Sequence, residues 1–379
     1  MAYETLKQEI IEYSKSIGVD KIGFAPANEF AELKSKLKLQ EDSGFKSGFE
    51  KGSIAERTEP ARLMSEAQSI IAIAIAYPSR LKNAPKSVKG DRRGLFCRAS
   101  WGKDYHHVLR EKLELLGTFI KEKVEGFDYK PMVDTGELSD RAVAERAGIG
   151  FSGKNCAIIT PEFGSYVYLG EMITNIPFPS DQPVDDGCGE CTKCIDNCPT
   201  GALVEGGRLN AQKCIAFLTQ TKGFLDDEYR GIIGNQLYGF DTCQVVCPKN
   251  KHVDFHLHAE LEPDPELVKP KLIPLLSMSN REFKEKFGDM AGSWRGKKPI
   301  QRNAIIALAH YKEISAVADL IRVMQKDPRP VIRGTAAWAL GKIGTREAFD
   351  AIKVAREIEL DEEVIIEMEK GLNFQYVSN

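Results

Sequence analysis

The sequence predicts an α/β or α+β multidomain chain in three consecutive parts: a mixed helix-and-strand domain over 1–178, a cysteine-rich domain over 179–258, and a linker with helical repeats over 259–379. Three observations predict it. Strand-like and helix-like segments alternate up to about residue 178, cysteines crowd between Cys188 and Cys247, and a proline-led helical pattern recurs after Pro299. A chain of 379 residues can build more than one core. The net charge of −3 gives no overall attraction to nucleic acid. The N-terminal stretch has no apolar signal core, and the longest apolar run, Ser69 to Tyr77, is too short to span a bilayer, so no membrane association is expected.

The first helix is expected over 3–17, with Leu6, Ile10 and Ile11 inward, followed by a strand over 21–25. An apolar strand over 69–77 ends at Tyr77-Pro78, and a helix covers 104–123. Next come a strand ending at Val133 and a helix from about Leu138 to Ala147, stopped by Gly148. Residues 156–160 and 165–174 read as a strand pair joined by the turn Pro161-Glu162-Phe163-Gly164. Asp134 therefore falls between a strand end and a helix start. That position suits a helix cap and suits an acid facing a ligand at the sheet edge.

Cys188, Cys191, Cys194 and Cys198-Pro199 have the spacing C-x₂-C-x₂-C-x₃-C-P that wraps a cubane cluster in bacterial ferredoxins, where the fourth cysteine serves a second cluster. Cys243 and Cys247-Pro248 repeat the C-x₃-C-P ending, with Cys214 between the two groups. The pattern predicts a ferredoxin-like domain with two iron–sulfur clusters of the 4Fe-4S type. Cys188, Cys191, Cys194 and Cys247 hold one, and Cys198, Cys214 and Cys243 the other. The second set is one thiolate short, because Phe240 stands three residues before Cys243. That cluster is expected to lose an iron, or to be completed by a ligand such as Asp241, a small molecule or solvent. The competing readings are zinc or disulfides, which rarely take this run. Cluster thiolates need a reducing compartment, which points to the cytoplasm. Cys156, in an apolar segment, reads as core.

Pro299-I-Q-Arg302-N-A-I-I-A-L-A recurs loosely as Pro330-V-I-Arg333-G-T-A-A-W-A-L, 31 residues on, the mark of HEAT-like α-helical repeats. Residues 291–302 hold Arg295, Lys297, Lys298 and Arg302 beside Trp294 and contain no acidic residue. Arg329 and Arg333 recur in the next repeat, and Lys222 and Arg230 add positive charge from the cysteine-rich region. Such a concentration suits phosphate contacts; a solvated face is the competing reading.

Met132-V-Asp134-T-G-E-L-S-D-Arg141, then Gly148-I-G-F-S-G-Lys154-Asn155, the two cysteine groups and the repeats together resemble the epoxyqueuosine reductases over nearly the whole chain. The resemblance implies a cobalamin-binding N-terminal domain, clusters that relay electrons to cobalt, and repeats that help hold a tRNA anticodon stem-loop. It implies reduction of epoxyqueuosine to queuosine at the tRNA wobble position. The family also carries a cysteine where this chain has Phe240. Removing an epoxide oxygen consumes two electrons and two protons, and the departing oxygen needs an acid. The resemblance assigns that role to Asp134. Arg57, Cys97, Asp134, Arg141, Ser152, Lys154 and Asn155 are the expected cobalamin contacts, with Tyr105 and His106 as further polar partners. Arg57 and Arg141 read equally well as surface ion-pair residues, and Cys97 as a small buried one. An external donor such as a flavodoxin or ferredoxin and a monomeric state are expected. The alternatives are a corrinoid reductase of the reductive dehalogenase type, which has no use for a basic repeat tail, and a pure electron carrier, which leaves the N-terminal half unexplained.

Overall fold

The computed structural model of the chain describes residues 2–375. They form two compact units: Met1–Arg80, Lys103–Cys214 and Asp241–Glu262 in one, Leu81–Gly102, Ile215–Phe240 and Pro263–Asn379 in the other. The linear three-part division is thus redrawn. The cysteine loops belong with the N-terminal part, and Ile215–Phe240 belongs with the repeats.

The first unit is built on a sheet of β1 (Lys21–Pro26), β2 (Ser69–Ala76), β3 (Tyr129–Met132) and β4 (Val167–Thr174), in the spatial order β1-β2-β4-β3. Every neighbouring pair is antiparallel. The mixed architecture is α+β, so the strand-end rule for parallel sheets does not account for the position of Asp134. β2 is buried along its whole length, because Ile and Ala face both layers. The main helices are α1 (Ala2–Ser16), the short α2 (Ile54–Thr58), α3 (Tyr105–Lys121) and α4 (Asp140–Arg146). Gly170 of β4 lies against Leu109 and Leu113 of α3; on the other face Ala72, Met132 and Ile173 pack with Val143 and Ala144 of α4.

The expected pairing of 156–160 with 165–174 is not what forms. Ile158–Ile159 pairs back on Phe151–Ser152, while β4 enters the main sheet between β2 and β3. Met172 and Ile173 are fully buried there, and a strand apolar on both faces needs two neighbours and two covering layers. Only an isolated bridge between Thr160 and Gly164 marks the turn. A further helix, Ala31–Asp42, had no clear periodic signal and has no buried residue.

In the second unit the repeat motifs open two helices, α5 (Lys297–His310) and α7 (Pro330–Ile343), followed around them by α6 (Val317–Lys326), α8 (Arg346–Arg356) and α9 (Glu362–Leu372). α5 and α7 are buried nearly all round, which their alanines permit. A Cβ on Gly341 of α7 would meet the Gly371 carbonyl oxygen of α9 at 2.1 Å, so these two helices touch backbone to backbone. Asn303 of α5 donates to the carbonyls of Thr219 and Leu237, both at 2.8 Å, tying Ile215–Phe240 to the repeats. No helix among the described residues is long and apolar enough to cross a membrane.

Candidate active site and cysteine loops

β3 ends at Met132, and Asp134 follows in a left-handed conformation with φ +49°. Its main-chain N–H donates to Asp140 Oδ2, at the start of α4, at 2.8 Å. Its side chain is 59% exposed, and Oδ2 meets His106 Nε2 at 3.2 Å. The other ring nitrogen of His106, Nδ1, meets Asp104 Oδ1 at 2.6 Å, while Asp104 also caps α3 through the His106 N–H. Burial alone would lower the pKa of His106. The hydrogen bonds and charges of Asp104 and Asp134 outweigh it and push the imidazole up to about 9. At neutral pH an imidazolium therefore bridges two carboxyls. The signal was present as Asp104-Tyr105-His106, but spacing alone could not show which strand end the histidine meets.

Behind Asp134 lie two carboxyls the sequence did not single out. Glu171, in the middle of β4, is cross-strand from Ala72 and Met132 and is buried. The Asp140 carboxyl stands within interacting reach of it. Burial first, then the negative charge of neighbouring Asp134, pushes Asp140 up to about 6; burial first, then Asp140, pushes Glu171 well above the usual carboxylate range.

Arg57 of α2 is partly buried, and desolvation, joined by the nearby charge of Arg141, lowers its pKa against the charges of Glu50 and Asp140. No hydrogen bond or ion pair engages its guanidinium among the described residues, which leaves an open donor set for an amide or phosphate of a large cofactor. Arg141 donates to the Cys156 carbonyl. Ser152 is exposed, with its N–H bonded to Glu145 at 3.0 Å. The cysteine loops engage Lys154 and Asn155. Lys154 Nζ donates to the Gly189 carbonyl at 2.6 Å and Asn155 Nδ2 to the Cys243 carbonyl at 3.5 Å. Cys97 lies in the second unit, buried, with its Sγ 3.7 Å from Ser100 Oγ.

None of the nine cysteines is in a disulfide. Burial raises the pKa of both Cys194 and Cys247, and Cys188 acts on each, with Cys191 acting on Cys247 as well. Burial, then Cys214, Asp241 and Cys156, pushes Cys243 up to about 12. Thiols grouped within one another's electrostatic reach fit iron–sulfur ligation, where iron takes the place of the protons. The main-chain N–H of Lys154 points at Cys188 Sγ (3.5 Å) and that of Ala202 at Cys198 Sγ (3.2 Å), the donors that cluster sulfurs use. Phe240 packs against the apolar core of the second unit. Cys156 is not plain core, since it stands within electrostatic reach of Cys214 and Cys243.

The basic residues divide. Arg230 and Arg302 are corrections, being 2% and 1% exposed. Arg230 forms a two-pronged pair with Glu367, one arm at 2.8 Å. Arg302 donates to the carbonyls of Leu218, Thr221 and Gly223 at 2.7–2.9 Å, and burial brings it down to about 10. Arg333 pairs with Glu359 at 2.8 Å, Arg329 with Asp327 at 2.7 Å, and Lys297 Nζ donates to the Met278 carbonyl at 2.6 Å. Lys222 and Trp294 are exposed, Lys298 is half-buried, and Arg295 stacks 4.9 Å from the Trp294 ring.

Residues 57–135 match the family model described as epoxyqueuosine reductase QueG, 187–250 match a 4Fe-4S double cluster binding domain, and 295–372 match HEAT repeats. The chain is 68% identical to an epoxyqueuosine reductase of Bacillus anthracis over 372 residues, 98% of each chain. The chain belongs to the epoxyqueuosine reductase family. Among solved structures, it matches an epoxyqueuosine reductase with an epoxyqueuosine-modified tRNA-Tyr stem loop at 66% identity and a TM-score of 0.97, covering 98% of this chain and 99% of that one. It matches equally, at 65% identity, TM-score 0.97 and coverage of 98% and 100%, the Bacillus subtilis epoxyqueuosine reductase with its Asp134 catalytic loop swung out of the active site.

Proposed function

We propose that this chain reduces epoxyqueuosine to queuosine at the wobble position of tRNA. The observation that carries the reading is its identity to epoxyqueuosine reductases over nearly the whole chain, repeats included. That extent favours it over a dehalogenase or an electron carrier. The overall change is epoxide plus two electrons plus two protons, giving alkene and water. Cobalamin, when bound, supplies a low-potential cobalt that stores reducing power and is nucleophilic toward carbon. Asp134 gives a proton to the departing oxygen, which as an alkoxide would be too basic to leave. His106, held protonated between Asp104 and Asp134, supplies that proton to Asp134 through its 3.2 Å contact. Arg57 and Arg141 hold polar groups of the cofactor periphery.

The thiolates hold two 4Fe-4S clusters that pass electrons singly from an external flavodoxin or ferredoxin. Cys198, Cys214 and Cys243 hold the second, and Cys156, Asp241 or solvent completes it in place of Phe240. The enzyme works as a monomer in the cytoplasm. Lys222, Trp294, Arg295 and Lys298 meet the anticodon stem-loop. Turnover of epoxyqueuosine-containing tRNA with a chemical reductant and added cobalamin tests the reading. Queuosine is the expected product, and absence of conversion by a cluster-loaded, cobalamin-loaded protein overturns it.

A further inference from the structure

Asp140 and Glu171 take no part in the chemistry above, yet their placement is hard to explain as packing. Glu171 stands on a central strand with Ala72 and Met132 beside it, 1% exposed, on the face that Val143, Ala144 and Ile173 fill. A Leu or Met would occupy that place without the penalty of burying an acid. Glu171 Oε1 and Asp140 Oδ1 are both buried, and no N–H or hydroxyl of the described residues donates to either. The two carboxyls meet each other instead. Two carboxylates in contact repel; a carboxylic acid and a carboxylate attract, because the O–H donates to the O⁻. The remaining oxygen of Asp140, Oδ2, accepts the main-chain N–H of Asp134.

We propose that Asp140 and Glu171 hold one proton between them at neutral pH, so that the pair carries a single negative charge, and that Asp140 is the positioning residue that fixes Asp134 in its left-handed turn. The proposal rests on the reading of Asp134 as the proton donor. The proton is shared within the pair only: no bond to substrate forms or breaks, and no electron moves. The charged groups acting on the pair are Asp134, from the turn after β3, and Arg57, from α2; His106 of α3 reaches it through Asp134. Losing the shared proton would set a second negative charge behind Asp134 and break the bond that holds Asp140 in place.

Infrared spectroscopy of the parent protein tests the shared proton without turnover. A carbonyl band of a protonated, buried carboxylic acid is expected at neutral pH; it is expected to vanish in Glu171→Gln and to shift in Asp140→Asn, where the acid's partner becomes an amide. Its absence from the parent overturns the proposal. The folded pair binds its protons more tightly than the unfolded chain does, so the parent loses stability as pH rises through about 6 and beyond, whereas Glu171→Gln keeps only the Asp140 share of that loss. The melting temperature of the variant relative to the parent should therefore climb with pH, and a pH-independent difference counts against the pair. Asp140→Ala removes the acceptor of the Asp134 N–H and is expected to lower kcat by up to about 10²-fold with KM for RNA unchanged. Asp140→Asn, which keeps an acceptor, should recover most of that loss, and parental kcat in Asp140→Ala refutes the positioning role. Should Asp134→Asn retain parental turnover, the acid assignment fails, while the infrared band still decides on the shared proton.

Discussion

Glu171 in the first unit, with the buried Oδ1 of half-buried Asp140 beside it, and Arg230 and Arg302 in the second are withdrawn from water, yet their surroundings differ in kind. The acids have each other and, among the described residues, no cation in hydrogen-bonding contact, so their charge is reduced by keeping a proton. Arg230 faces the Glu367 carboxylate, and Arg302 donates to a set of backbone carbonyls, so both keep their charge and lock chain segments together. Buried charge in the first unit is therefore adjustable by pH. In the second it is fixed architecture.

If that contrast is right, the largest effect should come from the reactive carboxyl. Asp134→Asn is expected to lose roughly 10²–10⁴-fold in turnover while still binding RNA, measured by single-turnover conversion of epoxyqueuosine in tRNA. Arg230→Ala comes next, and it should act on folding: taking the two-pronged partner from buried Glu367, and leaving Lys370 to face it, costs up to about 3–5 kcal/mol, visible as a lowered melting temperature. Replacing Lys222, Arg295 and Lys298 together by Ala should leave melting nearly unchanged and lower the logarithmic salt slope of RNA binding by roughly 0.7–0.9 for each phosphate that is no longer neutralised. An unchanged slope would move the RNA surface elsewhere. The smallest effect is on the pH profile. With His106 raised to about 9, its proton is held below that pH and lost above it, so activity should fall on the alkaline side near 9. Asp104→Asn should bring that fall toward the ordinary histidine range of about 6.5. Because the folded value is raised, the stability that His106 contributes is complete below the unfolded value and disappears as pH rises through 9.

Much of this was legible before any coordinates, where local chemistry decides the outcome. The run Ser69–Ala76 had to be a buried strand and Pro330 a helix start, because each follows from near neighbours. The cysteine spacing pointed to clusters for the same reason. The sequence misled where partners come from afar. Arg302 looked like part of a basic stretch, since nothing nearby in the sequence neutralises it; its partners Leu218 to Gly223 lie about eighty residues earlier. Glu171 passed unnoticed inside an apolar strand, and its meaning appears only when the start of α4 is laid against β4.

The turn at Asp134 restricts what evolution or mutagenesis can place there. A φ of +49° suits Gly, Asn, Asp and His and strains nearly everything else. Of those four only Asp and His can carry and release a proton. A His would set a second imidazole against the imidazolium of His106, like charge against like. The backbone admits four residues, the reaction admits two, the neighbour excludes one of them, and the codon is left with aspartate.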